Sequence, residues 1–361
     1  MTKKNYLLLG MAALAYTNSY ANDITKVDST LLLKEIVIST TRIPEIKSNA
    51  ATTVTIIDQK QIAQMSKAET DISHLLGLLT PGMALASNTT SSRTQSLRGR
   101  SALVLIDGIP QSTPLRSTDR DIRSLDVSAI DHIEIIKGAT SLYGNGAIGG
   151  VINIITKKNT TKKTFAGQSS LSGSTYNFYH GSNGMGYRFN QQFYGSINKL
   201  SYLVSGTLSK TGSSIDGDGA YISPRYGLGD TYTSNALVKL GYAFSPKNSI
   251  EFMYNFYRSL QHTSLIQKKG EYLKTPAIGI FGDKDPQASD EGTRYNHNAY
   301  LKFTSRKLFA NTDFEASLYG TSLYTIFAFR KHNPKIPRWD EPSDQATIKD
   351  QKFGLRSQFN T

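Results

Sequence analysis

The first half of the chain carries its apolar residues in short continuous runs. Two helices are predicted, one from Asp58 to Met65 and one from about Thr70 to Leu79, where Pro81 and Gly82 stop it. Runs rich in β-branched residues predict strands, and four occur: Thr53–Ile57, Leu103–Ile106, Ile133–Ile136 and Val151–Thr156. Together these elements predict a small α+β domain.

From residue 161 onward, apolar and polar residues alternate with a period of two. In Ile250–Phe256 the even positions are apolar or aromatic, and the odd positions are mostly polar. Tight connections at 198–199 and 245–248 contrast with long polar ones at 212–230 and 260–292. This is typical of an antiparallel outer-membrane β-barrel, and a soluble β-sandwich is the alternative. About eight strands are predicted, near residues 163–173, 185–197, 200–211, 231–244, 248–259, 293–306, 312–330 and 346–360.

The N-terminus has the pattern of a secretory signal peptide. Lys3 and Lys4 precede an apolar stretch, Tyr6–Ala15, and a small-x-small site predicts cleavage between Ala21 and Asn22. An anchoring helix is the alternative, but a helix needs about 20 apolar residues to cross a bilayer. We therefore expect export, and membrane insertion only through strands.

Composition separates the same two parts of the chain. Of the 36 aromatic residues, 32 lie in residues 161–361, and only Tyr143 lies in residues 22–160. The chain has no Cys, which excludes disulfides, thiolate zinc sites and cysteine nucleophiles. The net charge of +13 comes mostly from the second half and would attract anions if it lies on exposed loops. Nucleic acid is the other partner of a basic chain, but export makes it an unexpected one.

No pattern in the sequence assembles an enzyme site. Residues 144–149 fit G-x-G-x-x-G, yet they precede a strand rather than a helix, so we predict a tight glycine bend and no dinucleotide site. The six His are scattered without ligand spacing. Asp283, Asp285, Asp290 and Glu291 could bind Ca²⁺, but without the EF-hand pattern they are more typical of a solvated loop. No nucleophile, base and orienting group come together, so we expect neither catalysis nor a bound metal or cofactor.

Three motifs follow one another along the first half of the chain. The first is Glu35-Ile36-Val37-Ile38-Ser39, a β-branched run that could add as a strand to a partner's sheet; an ordinary first strand is the alternative. The second motif contains Arg98, Gly99, Asp107 and Gly108, and the third contains Glu134, Lys137, Gly138, Tyr143, Gly144, Gly149, Gly150 and Asn153. With these three motifs in this order, the chain resembles TonB-dependent outer-membrane receptors of Gram-negative bacteria. The first motif resembles their TonB box, and the other two resemble the two signatures of their plug domain.

The resemblance implies a function as well as a fold. In this family the plug fills a barrel of about 22 strands, the box binds the energy-transducing protein TonB, and the ligand enters when the plug rearranges. It implies a monomeric barrel in contact with outer-membrane lipid, and an iron–siderophore complex as ligand. The spacer 100–102 and the segment 109–116 look most like receptors for ferric aerobactin and related hydroxamate–citrate siderophores. Haem, cobalamin, and a non-transporting surface binder or adhesin are the alternatives.

The resemblance also predicts the organisation of the chain. We expect a signal peptide at 1–21, a mobile segment at 22–45 with the TonB box at 35–39, a plug at 46–160, and the first part of a barrel at 161–361. Because about eight strands cannot enclose a plug, we expect the chain to be a fragment of a longer receptor.

One position departs from the family's pattern. The family often has Arg at the position of Lys137, which with Arg98 commonly faces barrel carboxylates. Lysine keeps the charge but loses the bidentate fork. We expect the partners of Arg98 to lie beyond Thr361.

Overall fold

The part of the chain that can be described falls within one unit, residues 37–361. The predicted signal peptide with its cleavage site, the box residues Glu35, Ile36 and Ser39, and the motif residues Tyr143 and Gly144 lie outside it or outside the described residues. The computed structural model describes ten segments: 37–38, 45–46, 54–86, 95–111, 122–139, 146–175, 183–225, 227–309, 311–329 and 345–360.

A five-stranded mixed sheet and two helices form the N-terminal domain, residues 54–156. The strand order is β3-β6-β7-β4-β5; β4 and β7 are parallel, and the other neighbours are antiparallel. A separate two-stranded ladder pairs β1 with β2. In chain order the elements are β1 (Val37–Ile38), β2 (Glu45–Ile46), β3 (Val54–Ile57), α1 (Gln59–Met65), α2 (Ile72–Leu79), β4 (Ala102–Ile106), β5 (Ile109–Pro110), a 3₁₀ turn (Val127–Ala129), β6 (Ile130–Lys137) and β7 (Gly150–Thr156).

Both helices begin where a side chain caps them. Asp58 accepts a hydrogen bond from the Gln61 amide while the Gln61 side chain accepts one from the Asp58 amide, which is a capping box. Asp71 caps α2 by accepting from the Ser73 amide. Both predicted helices are confirmed. Within the described part of the chain, no helix is long and apolar enough to cross a membrane.

The core of the N-terminal domain covers both faces of its sheet, as the continuous apolar runs predict. All five residues of β4 are buried. Val104 and Ile106 pack on one face, whereas Leu103 and Leu105 pack on the other. The larger cluster continues into inward residues of the second half of the chain, among them Leu203, Leu237, Met253 and Tyr300.

Eight long antiparallel strands form an open sheet, which we call the large sheet. Its strand order is β17-β16-β15-β12-β11-β10-β9-β8, so β8 and β17 are its edges. The strands are ten to nineteen residues long, enough for a tilted membrane strand of about 9–11 residues. The elements of the second half are β8 (Ala166–Thr175), β9 (Met185–Ile197), β10 (Leu200–Lys210), β11 (Thr231–Ala243), β12 (Asn248–Gln261), β13 (Leu265–Lys268), β14 (Ile278–Phe281), β15 (Glu291–Phe309), β16 (Thr312–Ile326) and β17 (Thr347–Asn360).

All eight predicted strands of the second half are present, but the connection at 260–292 is not simply a loop. It contains the hairpin β13–β14, whose short apolar runs are too brief to show alternation. The hairpin is fixed to the preceding long connection by a bridge between Ile222 and Ile278 and by the contact of Tyr221 with Phe281.

The two faces of the large sheet decide between the barrel and the sandwich. Inward positions such as Asn190, Thr207 and Asn255 are polar and buried against the N-terminal domain. Outward positions are apolar and exposed; for example, the outward side chains of Leu171 and Leu318 are 79% and 58% exposed. A soluble sandwich buries its apolar face between sheets. An apolar outer face with a polar inner face is the pattern of an outer-membrane strand sheet.

Candidate functional site

The turn between β4 and β5 brings together residues of the two motifs that resemble the plug signatures. Asp107 and Gly108 have φ of 49° and 82°, the left-handed backbone of a two-residue hairpin turn. The Asp107 carboxylate accepts hydrogen bonds from the Thr156 amide at 2.9 Å and hydroxyl at 2.6 Å. The Gly108 amide donates to Asn153 Oδ1 at 2.9 Å, and Asn153 Nδ2 donates to Glu134 Oε2 at 3.2 Å. Side chains from both motifs therefore fix the shape of one turn.

The same carboxylate forms a buried ion pair with the large sheet. Lys239 Nζ lies 3.0 Å from Asp107 Oδ2 and donates to Thr156 Oγ1 at 2.8 Å. The Tyr300 hydroxyl lies 2.9 Å from Asp107 Oδ2 and 2.7 Å from Glu251 Oε1. The side chains of Asp107 and Lys239 are only 5% and 6% exposed. A buried pair is favourable only when further hydrogen bonds satisfy its charges, and Thr156 and Tyr300 provide them.

The charge on Asp107 follows from these surroundings. Burial by itself would raise the pKa of this carboxyl, but the Lys239 ammonium and the Thr156 hydroxyl more than offset it, so the pKa of Asp107 lies below its usual range. A lowered folded-state pKa means that the carboxylate stabilises the interface at neutral pH. That contribution is lost only as the pH falls through the lowered pKa.

Two basic side chains of β17 hold the backbone of the same turn. Arg356 Nη1 donates to the Gly108 carbonyl at 2.8 Å, and Lys352 Nζ donates to the Pro110 carbonyl at 2.6 Å. Because Lys239 belongs to β11, this one turn is held by strands from β11 to the edge strand β17.

A second buried carboxylate residue, Asp126, contacts strands β9, β10 and β11 of the large sheet. It caps the 3₁₀ turn by accepting from the Ser128 amide at 2.8 Å. It also forms an ion pair with Arg188 and accepts from the Thr207 hydroxyl at 3.3 Å. The Asp126 amide donates to Asn235 Oδ1 at 3.3 Å. The domain is thus docked on the sheet by two carboxylates with separate sets of partners.

A polar cavity of about 110 Å³ lies between the start of α2 and the large sheet. On one side Asp71 forms a 2.7 Å ion pair with Arg123. On the other side are Thr231 and Tyr257, and the buried Thr231 hydroxyl has no hydrogen-bond partner among the described residues. A polar cavity of this size has room for water, so the packing between the plug and the sheet is incomplete at this point.

The structure places Arg98 and Lys137 away from this interface. Arg98 and Gly99 have φ of 53° and 73°, and Arg98 is exposed. In the described segments neither Arg98 nor Lys137 forms an ion pair with a carboxylate. The expected partners of Arg98 beyond Thr361 therefore stay a prediction.

The glycines of the second motif mark a close approach of backbones. A Cβ on Gly149 would lie 2.8 Å from the carbonyl oxygens of Leu97 and Arg100. A Cβ on Gly150, where φ is 137°, would lie 2.1 Å from the Ile136 carbonyl oxygen. The bend predicted at residues 144–149 is confirmed at Gly149, and Gly150, just after it, shares the close approach. Gly138 also has a positive φ of 124°.

Part of the predicted TonB box adopts extended backbone. Val37 and Ile38 pair with Ile46 and Glu45 as β1 and β2. This pairing shows that the segment can form a strand ladder. Its role in binding a partner stays a prediction.

Sequence reasoning missed the residues of the large sheet that dock the N-terminal domain. Arg188, Lys239 and Arg356 occupy inward positions among neutral polar residues. Alternation shows that each lies on the polar face, and a charge at such a position signals a partner. It does not identify that partner.

The long connections enclose a larger cavity of about 560 Å³ at the opposite end of the sheet from the tight turns. Arg225, Lys284, Asp283 and Glu291 are among its lining residues. Asp290 pairs with Lys284 at 2.8 Å and with His262 at 2.7 Å. In the described segments, no group of three or more acidic or histidine side chains could hold a metal ion.

Comparison with known proteins identifies the N-terminal domain. Residues 46–151 match the family described as TonB-dependent Receptor Plug Domain. The rhizobactin receptor of Rhizobium meliloti (strain 1021) is 29% identical over 342 residues, 91% of this chain and 43% of that protein. The ferric aerobactin receptor of Klebsiella pneumoniae is 32% identical over 158 residues, 44% of this chain and 21% of that protein. The chain spans less than half the length of these relatives.

Solved structures share the fold. A ferric enterobactin receptor of Pseudomonas aeruginosa, in complex with enterobactin, aligns with a TM-score of 0.57 and 21% identity, over 85% of this chain and 46% of that one. The siderophore receptor PirA of Acinetobacter baumannii aligns with a TM-score of 0.58 and 18% identity, over 84% of this chain and 44% of that one. The fold is a plug domain followed by part of an antiparallel strand sheet.

Proposed function

The chain belongs to the TonB-dependent receptor family, and we propose that it acts in the outer membrane of a Gram-negative bacterium to import an iron–siderophore complex. The proposal rests on how the plug domain lies against the large sheet. A domain of the plug family lies on the polar face of a strand sheet whose other face is apolar, and the Asp107–Lys239 pair docks it there. It is not a catalytic arrangement, and we propose no enzymatic activity.

The plug is docked in a way that permits it to move. Many of its contacts with the sheet are ion pairs and hydrogen bonds, such as Asp126 with Arg188 and the Asn255 amide with the Ser124 carbonyl at 2.9 Å. Water can replace such partners when they separate, whereas an apolar interface loses its burial outright. The polar part of the interface can therefore separate at little cost, whereas the apolar contacts of the plug core with Leu203, Leu237, Met253 and Tyr300 oppose the movement.

A pull on the N-terminus would reach the docked turn through the plug sheet. We propose that TonB binds Glu35–Ser39, upstream of β3. β3 is an edge strand that pairs only with β6 in the plug sheet. β6 carries Glu134, which holds Asn153 and through it the Gly108 amide. Force on β3 is thereby transmitted to the turn that contacts Lys239.

The proposed ligand is a ferric siderophore, with the aerobactin type of hydroxamate–citrate chelate as the first to test. The support is the similarity of the chain to a rhizobactin receptor and to a ferric aerobactin receptor. The cavity among the long connections is lined by both signs of charge, with Arg225 and Lys284 beside Asp283, Asp285 and Glu291. Because Lys284 is paired with Asp290, Arg225 is the cation to test for contact with an anionic chelate.

Equilibrium binding by the intact receptor tests the ligand class. We expect a ferric siderophore to bind more tightly than haem or cobalamin, and Arg225→Gln to weaken that binding. Lys269→Gln, an exposed change outside the cavity lining, is the matched control. If haem or cobalamin binds more tightly than the ferric siderophore, the proposed ligand class is wrong and that compound takes its place. A receptor that binds none of these chelates but captures a surface protein would support the adhesin alternative.

A further inference from the structure

Six neighbouring strands carry one row of basic and tyrosine side chains on the outward, apolar face of the large sheet. The row lies at the ends of the strands that lead into the long connections. We call its four basic members the cation row: Lys210, Arg258, Arg294 and Lys349. From β17 to β10 the side chains are Lys349, Tyr324, Arg294 with Tyr295, Arg258, Tyr232 and Lys210.

Strand pairing shows that the row is continuous on the β17 side. Lys349 lies directly opposite Tyr324, and Tyr324 lies opposite Tyr295. Arg294 comes just before Tyr295, at a point where the pairing register of β15 with β16 shifts. Because of this shift, both side chains lie at the same end of the outward face. The Tyr295 and Tyr324 rings meet edge to face with centroids 5.6 Å apart.

On the β10 side, the row continues at the same end of the strands. Lys210 lies opposite Tyr232, which lies opposite Leu260. Arg258 stands two residues before Leu260, opposite the outward residue Ser234. With about 4.8 Å between neighbouring strands, the six strands make a row about 24 Å long.

Three of the four cations lie over tyrosine rings. Lys210 Nζ lies 5.5 Å from the centroid of Tyr232. Tyr324 receives two cations, the Arg294 guanidinium at 5.8 Å and Lys349 Nζ at 4.8 Å. These contacts hold the charged groups against the edge of the apolar face, so they are ordered before any ligand arrives.

Within the described part of the chain, none of the four members of the cation row forms an ion pair with a carboxylate. The carboxylates of the described large-sheet strands are on the inward face, which the row cannot reach; they are Glu251, Glu291, Asp313, Glu315 and Asp350. Four cations at the edge of an apolar surface are therefore available to an external anion.

We propose that the cation row binds the phosphate groups of lipids in the outer leaflet of the membrane. The proposal rests on the outer-membrane location proposed above, because the apolar face then contacts acyl chains and the row lies at headgroup height. Lysine and arginine are the usual partners of phosphate, and arginine can bind it with two parallel hydrogen bonds. The complementary charge and the row's position at the end of the apolar face favour a lipid phosphate over a soluble one.

Lipid binding to the intact receptor tests the proposal without any iron chelate, so the result stands whether or not the receptor imports one. The probes are vesicles of uncharged lipid with and without bisphosphorylated lipid A. The test variant replaces all four members of the cation row with Gln. The matched control replaces four exposed lysines outside the row with Gln: Lys162, Lys163, Lys247 and Lys307.

We expect the test variant to bind lipid A at least about tenfold more weakly and the control to bind it like the unchanged receptor. Equal losses in the two variants would show general charge attraction and overturn the proposal. Competition by inorganic phosphate as effective as that by lipid A would assign the row to a soluble anion and also overturn it. If the fourfold variant does not fold, the pair Arg294→Lys and Lys349→Arg should retain binding, and Arg294→Gln with Lys349→Gln should weaken it. Unchanged binding by the Gln pair would contradict the proposal.

Discussion

At the residue scale, the seating of the plug depends on a buried carboxylate whose partners come from distant parts of the chain. Asp107 contacts Thr156 within the plug and Lys239 and Tyr300 on the sheet. Removing the Lys239 charge leaves Asp107 buried without its ion pair, and removing the Asp107 charge leaves Lys239 buried with only the more distant Glu251 carboxylate, at 3.8 Å. Such a change costs more than the intact pair contributes, because the remaining ion has lost its water.

Asp107→Asn in the intact receptor is therefore expected to destabilise the folded protein by about 3–5 kcal/mol, as measured by denaturant unfolding. Asp218→Asn, at an exposed position in a long connection, is the control and should change little. If Asp107→Asn and Lys239→Met together are no more stable than Asp107→Asn alone, the two charges do not act as a pair and the account of the interface is wrong.

His132 should make stability depend on pH above neutrality. Burial alone would lower its pKa, but Asp131 at 2.7 Å and Glu134 at 3.3 Å more than offset this and raise the pKa to about 9. A raised folded-state pKa stabilises the protein fully below the unfolded value of about 6.5, and that stabilisation is lost as the pH rises to about 9.

The stability difference between the unchanged protein and His132→Gln should shrink from pH 6.5 to pH 9. The measurement is denaturant unfolding at a series of pH values, with His262→Gln, a change of an exposed loop histidine, as the control. A difference that stays constant over this range would contradict the assigned charge on His132.

At the element scale, the proposed function requires the outward face of each long strand to contact lipid. Leu318 lies near the middle of β16, points outward and is 58% exposed. Leu318→Arg should reduce the free energy of folding into a bilayer by about 2–4 kcal/mol. Leu273→Arg, at a 90% exposed position in the β13–β14 connection, should cost much less. Equal costs in a vesicle-folding assay would mean that β16 does not face lipid.

The glycine bend before β7 is a second element-scale constraint. Gly150→Ala should destabilise the plug by more than about 2 kcal/mol, since the new Cβ would lie 2.1 Å from the Ile136 carbonyl oxygen at a φ of 137°. Gly206→Ala is the control, because nothing lies within 4 Å of the added atom. Urea unfolding compares the two, and similar midpoints would count against the close approach.

Most elements are predictable because their signals are local. Asp58 and Asp71 cap the two helices from within the same turn, and alternation marks each long strand. β13 and β14 were missed because four residues are too few for periodicity, and their position depends on Ile222 in another connection.

At the scale of the whole molecule, the sequence predicts the plug domain and the large sheet but not how the plug docks on the sheet. Asp107 and Lys239 are 132 positions apart, and nothing local links the turn to that strand. The motif around Asp107 and Gly108 identifies a turn, and alternation places Lys239 on the polar face. Only the packed structure shows that these two features meet.

The central claim is that the plug is moved by force applied through the segment before it. Deleting Glu35–Ser39 from the intact receptor, with deletion of residues 26–30 as the matched control, tests this most directly. The measurement is uptake of a labelled ferric siderophore by iron-starved cells, together with its binding at the cell surface. The account predicts that the first deletion abolishes uptake and leaves binding unchanged, and that the control changes neither. Undiminished uptake without Glu35–Ser39 would contradict it.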